Sequence, residues 1–295
     1  MPKGDAITSH SSAGPSRSWL LLPREHGAWG MVSLPFLAAA AIADGNQFSL
    51  PVAAASLAVL SAFLLRDPLL LLRRIRRDPG RLENSLQRVI AWRSLLLCLG
   101  GLAVSGTILL LTLPPVVVLG LGAAGIGLVI VSVQIAVERI QREISSQMLS
   151  VAGLTGSCLV AYLAVRGRLD WLAFAIWTMS AAHSIGSVLV VRARLEGIVS
   201  RRRSAPGPAP TRFYRSAIAW QASLASLLAV LALTGHAAML LPFLLPGALH
   251  VWELWRFRSG EGLQLSMHRV GWLQLATSLL FYALLVFLFR SHLIP

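Results

Sequence analysis

The fold of this chain is decided by residues 116–137, which read VVVLGLGAAGIGLVIVSVQIAV. These 22 residues carry no charged side chain, and about 20 apolar residues in an α-helix are enough to cross the hydrocarbon core of a bilayer. In lipid, every backbone N–H and C=O group must find its partner within the segment, and a helix provides this. The stretch therefore predicts a transmembrane helix.

Similar apolar runs recur along all 295 residues, and the whole chain is 56% hydrophobic and 13% charged, with a mean hydropathy of +0.70. A soluble domain carries about 25% charged residues, so this composition excludes a soluble globule, a coiled coil, a collagen and a disordered chain. It predicts an all-α, polytopic membrane bundle of about nine transmembrane helices. The nine runs are 27–43, 48–65, 94–113, 116–137, 148–165, 169–191, 216–234, 237–255 and 270–289.

Two polar segments divide the chain. Residues 1–18 are rich in Ser, Gly and Pro and are expected to form a disordered cytoplasmic tail. Residues 200–215 are basic and Pro-rich and predict a cytoplasmic linker between residues 19–199, which hold helices one to six, and residues 216–295, which hold helices seven to nine. In the eighth run, Pro242 and Pro246 each remove a helical hydrogen bond, which predicts a kinked or broken helix lining a cavity.

Arginine is distributed very unevenly between the connections. Those after runs 2, 4, 6 and 8 hold 20 arginines, and those after runs 1, 3, 5 and 7 hold 2. The positive-inside rule then places the N-terminus in the cytoplasm and the C-terminus outside. The same arginines are expected to contact anionic lipid headgroups. Nucleic acid is not an expected partner, because the basic residues lie between apolar runs and not on one polar domain.

Most other polar side chains gather at the predicted cytoplasmic ends of the helices. Any polytopic protein has a polar rim there, so a single residue carries little weight, but the opposite rim offers far fewer such groups. We expect Glu25, His26, Arg66, Asp67 and Arg192 to converge on one cytoplasm-facing pocket. Together with His183 inside the membrane, the candidate ligand-binding residues are Arg24, Glu25, His26, Arg66, Asp67, Glu138, Arg192 and Arg194.

His183 lies on a polar stripe of the sixth run, with Ser180, Ser184, Ser187 and Arg194 at helical spacing. Ionisable groups inside a membrane face a cavity or a partner. His183 is therefore either a neutral histidine hydrogen-bonded to a neighbouring helix or a group that couples activity to protons. Replacement by Gln separates the two, because Gln forms hydrogen bonds but does not titrate.

Other patterns in the sequence do not indicate a binding or catalytic site. Gly120, Gly122 and Gly125 match GxGxxG, but they lie inside a predicted helix without a preceding strand, so we interpret them as small residues that let helices approach closely. Cys98 and Cys158 lie in apolar runs and predict no disulfide. No His, Cys or carboxylate pair has the spacing of metal ligands, and no metal or other cofactor is expected.

The N-terminal run Pro23-Arg24-Glu25-His26-Gly27-Ala28-Trp29-Gly30 resembles the signature of the YwiC-like family of bacterial membrane proteins, a Gly-Ala-Trp motif after a Gln-His or Glu-His pair. The resemblance implies a location in the bacterial cell membrane and no particular reaction. Weaker similarities are Arg66-Asp67-Pro68, Val191-Arg192-Ala193-Arg194 and His268-Arg269-Val270-Gly271.

A second resemblance concerns architecture alone. Nine helices with polar sites after the second and sixth are similar to UbiA-type prenyltransferases, which hold Mg-pyrophosphate with an Asp-rich motif at each site. This chain has Asp67 alone at the first site, and Arg192, Arg194 and Glu196 at the second. Arginine could bind a phosphate or a small anion directly.

Three functions remain open from the sequence. The first is binding or transport of a small anion or a phosphate-bearing lipid in a cavity open to the cytoplasm. The second is an intramembrane transferase acting on a polyprenyl substrate. The third is a non-catalytic membrane scaffold for a respiratory or export complex.

Overall fold

The computed structural model describes residues 26–44, 46, 48–77, 84–137, 143–203, 214–259 and 267–291. Every regular element in these ranges is helical, which confirms the predicted all-α fold. A 3-10 helix, Ala237–Leu240, precedes α9. The α-helices are α1 His26–Ile42, α2 Leu50–Arg77, α3 Asn84–Thr112, α4 Pro115–Val137, α5 Ile144–Thr155, α6 Ser157–Arg166, α7 Trp171–Arg203, α8 Arg215–Leu233, α9 Leu241–Ser259 and α10 Met267–Arg290.

Within the described ranges, eight helical segments are long and apolar enough to span a membrane, and α1 is a shorter apolar helix from Gly27 to Ile42. The predicted polytopic bundle is confirmed. Its orientation in the membrane stays a prediction. The eight segments are Leu50–Arg77, Leu86–Thr112, Pro115–Ala136, Ile144–Arg166, Trp171–Val199, Arg215–Leu233, Ala237–Phe257 and His268–Arg290.

Three helices continue well past the ends of their apolar runs. Helix α2 includes Arg66, Asp67 and the arginines up to Arg77, α3 starts ten residues before its run, and α7 ends at Arg203. The predicted ends were wrong here because hydropathy marks the lipid boundary, whereas Arg and Leu are good helix formers in water as well. The predicted linker 200–215 therefore begins with helical residues and ends in α8, and its residues 204–213 lie outside the described part, as does the predicted tail 1–18.

The fifth apolar run forms two helices that meet at Gly156. The Gly156 N–H bonds both Ala152 O and Gly153 O, at 3.2 and 3.1 Å, which tightens the backbone at the junction. Neighbouring helices use this junction, since Ser157 Oγ donates to Val32 O on α1 at 2.7 Å and Trp177 Nε1 on α7 donates to Ala152 O at 3.0 Å. The sequence did not predict the division.

The eighth run behaves differently from the prediction. Pro242 lies in the first turn of α9, where its missing N–H costs nothing, and α9 continues through Pro246 to Ser259. The irregular part is the 3-10 helix before Pro242. The break thus falls ahead of the prolines and not between them.

Helix α1 lies at the centre of the bundle and packs against α5, α6, α7 and α10, while α2 packs against α3, α4 and α6. Helices α7, α8 and α9 pack against one another around a second apolar cluster that includes Leu189, Ala193, Leu254 and Phe257, and α10 packs against α7 and α9. These four helices carry the site described below.

The glycines of α4 do not bring helices of this chain together. A Cβ added to Gly120, Gly122, Gly125 or Gly127 would have nothing within 4 Å. The predicted close approach was wrong for this helix, because α4 lies at the edge of the bundle. The close approach to α4 depends instead on a glycine of α5, because a Cβ on Gly153 would lie 3.0 Å from Leu128 of α4.

Candidate functional site

A buried ion pair joins α7 to α9. Arg194 Nη2 lies 3.4 Å from Glu253 Oε1, and these two residues are only 2% and 3% exposed. The guanidinium carbon of Arg194 also lies 4.6 Å from the ring centre of Phe257. A buried charge is expensive unless it is paired, so each of these two residues needs the other.

The pair leaves polar atoms unsatisfied. Arg194 Nε and Nη1, Gln274 Oε1 and Glu253 Oε1 are buried and have no hydrogen-bond partner among the described residues. Glu253 Oε1 does have an ionic contact with Arg194. Arg256 is close enough to interact electrostatically with both members of the pair. Buried donors without partners are rare in proteins. The unsatisfied atoms of this cluster could therefore form hydrogen bonds to a further polar molecule.

Helix α10 closes one side of the pair. Gln274 Nε2 donates to Glu253 Oε2 at 3.2 Å, and Gln274 also lies beside His250, one turn before Glu253 on α9. The polar cluster therefore continues from the ion pair to His250 without leaving the buried interior.

His250 has both ring nitrogens engaged. Gln221 Nε2 on α8 donates to His250 Nδ1 at 3.2 Å, and His250 Nε2 lies 3.3 Å from Ser187 Oγ on α7. Because Nδ1 accepts, Nε2 carries the proton and donates to Ser187, which gives the neutral tautomer.

His183 lies deeper along the same face of α7. Its Nε2 is 3.2 Å from Ser278 Oγ on α10, and its ring stacks on His250 at 5.9 Å between ring centres. Tyr282 lies beside the serines of the stripe, Ser180 and Ser184. The predicted polar stripe of α7 is buried along its length and faces α9 and α10.

A glycine lets α8 reach this cluster. A Cβ on Gly186 of α7 would lie 3.2 Å from Gln221 Nε2 and 3.4 Å from Trp220 Nε1. Trp220 Nε1 donates to Ala182 O of α7 at 3.2 Å. The missing side chain at Gly186 thus places the Gln221 amide against His250.

Arg192 is directed away from the ion pair. Its Nε donates to Glu196 Oε1 at 2.8 Å and its Nη1 donates to Gln147 Oε1 on α5 at 3.2 Å. Residues two apart on a helix point to nearly opposite sides, which explains why Arg192 and Arg194 serve different interfaces.

The remaining candidates lie near the N-terminal helices. Trp29 of the Gly-Ala-Trp motif packs edge-on against Phe63 of α2, with ring centres 5.1 Å apart, one turn before Arg66 and Asp67. Arg66 Nε is buried and has no hydrogen-bond partner in the described part of the chain. Arg24, Glu25 and Glu138 lie outside the described residues, as does the side chain of His26. Convergence of the predicted pocket stays a prediction.

Sequence reasoning placed His250 and Glu253 only among the polar side chains of the predicted cytoplasmic rim, and it missed Gln274, Ser278 and Gln221. Spacing could have identified them. His250 and Glu253 are three residues apart in an otherwise apolar run, and Gln274 and Ser278 are four apart in another. Each pair shares one face of its helix, as the stripe around His183 does.

An apolar groove of about 310 Å³ lies between α7, α8 and the start of α9. Met179 and Ala182 line it from α7, and Phe243 lines it from α9. Phe243 also contacts Phe281, on which His183 stacks. The groove therefore begins next to the deep end of the polar cluster.

Cys98 and Cys158 are buried free thiols. Among the described residues, no group of three or more His, Cys, Asp or Glu side chains could hold a metal ion. The polar cluster consists of one arginine, one carboxylate, two histidines and neutral hydrogen-bonding groups.

Comparison with known proteins gives one result. Residues 22–165 match the model of the family described as YwiC-like protein. No curated protein and no solved structure matches the chain. The match covers α1 to α6 and ends before α7, so the buried cluster of α7 to α10 lies beyond it. Residues 22–165 of this chain are therefore similar to the YwiC-like family, which supports the resemblance that the Arg-Glu-His-Gly-Ala-Trp motif indicates.

Proposed function

We propose that this chain is a multi-pass protein of the bacterial plasma membrane that binds and transports a small anion or a phosphate-bearing ligand at Arg194. One observation carries the proposal: Arg194 is 2% exposed, yet Nε and Nη1 have no hydrogen-bond partner among the described residues. Buried donors left unsatisfied cost free energy, which a bound anion would recover. A guanidinium group matches the oxygens of phosphate and of other oxyanions.

The position of Arg194 fits entry from the cytoplasm. It lies about 35 Å from the start of α7 at 1.5 Å per residue, so it is near the predicted cytoplasmic surface. Arg256, half-buried and close to the pair, adds positive potential on the same side. The arginine-rich connections of this side would raise the local concentration of anions further.

The apolar groove supports a second candidate, a UbiA-like transferase that acts on a polyprenyl substrate. The groove begins at Ala182, which is about 18 Å along α7 from Arg194. An isoprenoid chain in the groove could place its phosphate toward Arg194. In that case the ligand is a lipid-linked phosphate and not a free anion.

A thermal-shift screen on the detergent-purified protein tests these candidates, since a ligand that binds only the folded state must stabilise it. The probes are inorganic phosphate, sulfate, nitrate, and an isoprenoid diphosphate with Mg²⁺. Stabilisation by the inorganic anions supports the transporter, and stabilisation only by the isoprenoid diphosphate supports the transferase. Stabilisation by none of them contradicts both and leaves the non-catalytic scaffold.

Variants then locate the binding. Arg194→Gln should abolish the shift, while Arg215→Gln, which removes an exposed arginine at the start of α8, should keep it. Arg192→Lys separates the two arginines of α7. If the shift survives Arg194→Gln but weakens in Arg192→Lys, the anion binds at the predicted pocket near α5 and not at the ion pair.

A further inference from the structure

We infer that an anion binding at Arg194 brings one proton onto Glu253, so that this site takes up an anion and a proton together. The inference rests on the proposed function and adds the second ion to it. It follows from the geometry of the buried pair, Arg194 Nη2 to Glu253 Oε1 at 3.4 Å.

The first step is competition for one cation. Arg194 and Glu253 are almost completely buried and form a neutral pair. An anion that occupies the unpartnered donors of Arg194 adds a negative charge beside Glu253. Two negative charges then share one fully buried guanidinium group in a medium that screens them poorly, while Arg256 is half-buried.

The second step is neutralisation. A carboxylate that loses its counter-ion in the interior is very costly, and such a group takes up a proton instead of remaining charged. The proton comes from the cytoplasmic solution and adds to a carboxylate oxygen of Glu253, with no other bond formed or broken. Gln274 remains hydrogen-bonded to the other oxygen.

The groups around Glu253 are consistent with this assignment. Helix α7 faces it with Arg194, α10 faces it with the neutral Gln274, and α9 itself adds His250 and Arg256. Tyr214, just before α8, lies in the apolar cluster of Leu254 and Phe257. Arg256 is half-buried, so solvent screens its charge, and Arg194 is the buried cation nearest to the carboxylate.

The test counts protons by isothermal titration calorimetry. Phosphate, sulfate and nitrate are each titrated into the full-length protein in two buffers with different heats of ionisation. For each anion, the proton uptake of Glu253→Gln is subtracted from that of the wild type, which corrects for any proton that the anion itself releases. We expect the wild type to take up about one proton more per bound anion than Glu253→Gln.

The Glu253→Gln variant should also bind the anion more tightly. Its neutral amide does not compete with the anion for Arg194, so its affinity for sulfate and nitrate, which do not titrate near neutral pH, should rise by about tenfold and lose its dependence on pH. Glu196→Gln is the matched control, because Glu196 also pairs with an arginine of α7 but is 35% exposed. It should take up as many protons as the wild type.

The outcomes are distinct. Binding with equal proton uptake in the wild type and in Glu253→Gln overturns the inference and leaves the proposed function intact. Absence of binding by all three anions overturns the inference, and the proposed function falls with it if the isoprenoid diphosphate also gives no thermal shift. If Glu253→Gln does not fold, the wild type decides: its affinity for sulfate and nitrate should fall by about tenfold for each unit of rise in pH, and an affinity that does not change with pH overturns the inference.

Discussion

The imidazole ring of His183 lies parallel to the phenyl ring of Phe281, with 4.2 Å between ring centres and 4° between planes. The same imidazole is within hydrogen-bond distance of Ser278, one turn earlier on α10. Stacking and hydrogen bonding together fix the ring in one orientation. In the described part of the chain, the side chains that touch His183 directly are uncharged, which favours a neutral histidine.

His183→Gln should therefore insert into the membrane and keep the wild-type pH profile of anion uptake into proteoliposomes. Gln can still bond Ser278, whereas His183→Ala leaves that hydroxyl alone and opens a space beside Phe281, so its melting temperature should be lower than that of His183→Gln. Ser278→Ala is the control that removes the same hydrogen bond from α10. If uptake by His183→Gln becomes independent of pH, His183 carries a proton after all.

The buried pair should show strong energetic coupling. Arg194→Met and Glu253→Met should each lower the free energy of unfolding by about 3–5 kcal/mol, because each leaves a buried charge alone. The double variant should lose less than either single variant. Reversible unfolding in mixed micelles measures all four proteins of the cycle.

The pair Arg192 and Glu196 provides the comparison for this cycle. It is an (i, i+4) pair with partly exposed side chains, so its coupling should stay below about 1 kcal/mol. Additive losses for Arg194 and Glu253 would contradict the ion pair as a structural unit.

Gly186 should not tolerate a larger residue. Gly186→Val would drive its side chain into Gln221 and Trp220 of α8, which should cost about 1–3 kcal/mol and break the Gln221 bond to His250. Gly125→Val is the matched control on α4, where an added Cβ has nothing within 4 Å. Thermal unfolding of the two variants beside the wild type checks this, and equal melting temperatures for the two would refute it.

The orientation can be read by labelling single cysteines with a membrane-impermeant thiol reagent in intact cells. Cysteines in place of Asn46, Pro114 and His236 should react, and a cysteine in place of Arg74 should react only after lysis. The background is Cys98→Ala, Cys158→Ala, and both native thiols are buried. Reaction of the Arg74 position in intact cells would reverse the predicted orientation.

Hydropathy predicted the membrane-spanning segments well because the part of a helix that lies in lipid must be apolar. Hydropathy did not predict the helix ends where a helix continues past its apolar run, as α2 does up to Arg77. It also did not predict the interruption at Gly156, which lies within an apolar run. The bonds from Ser157 to α1 and from Trp177 to Ala152 belong to neighbouring helices. The sequence around Gly156 therefore does not reveal these hydrogen bonds.

Part of the candidate cluster could be predicted from the sequence. The stripe of α7 was visible because its residues share one face, and Arg194 and His183 are both in the buried cluster. Their partners lie on α9 and α10, more than 50 residues later in the chain. A sequence pattern shows which face is polar but not which two polar faces meet, so Glu253 could not be assigned to Arg194 without the structure.

The distance in sequence between Arg194 and Glu253 has a consequence for how the protein is made. Helix α7 leaves the ribosome before α9 exists, so Arg194 enters the bilayer region ahead of its counter-charge. The guanidinium group of an unpaired arginine near a helix end stays in the water at the membrane surface. We therefore expect α7 to take its final depth only when α9 arrives with Glu253, so a chain truncated before α9 should leave α7 misplaced.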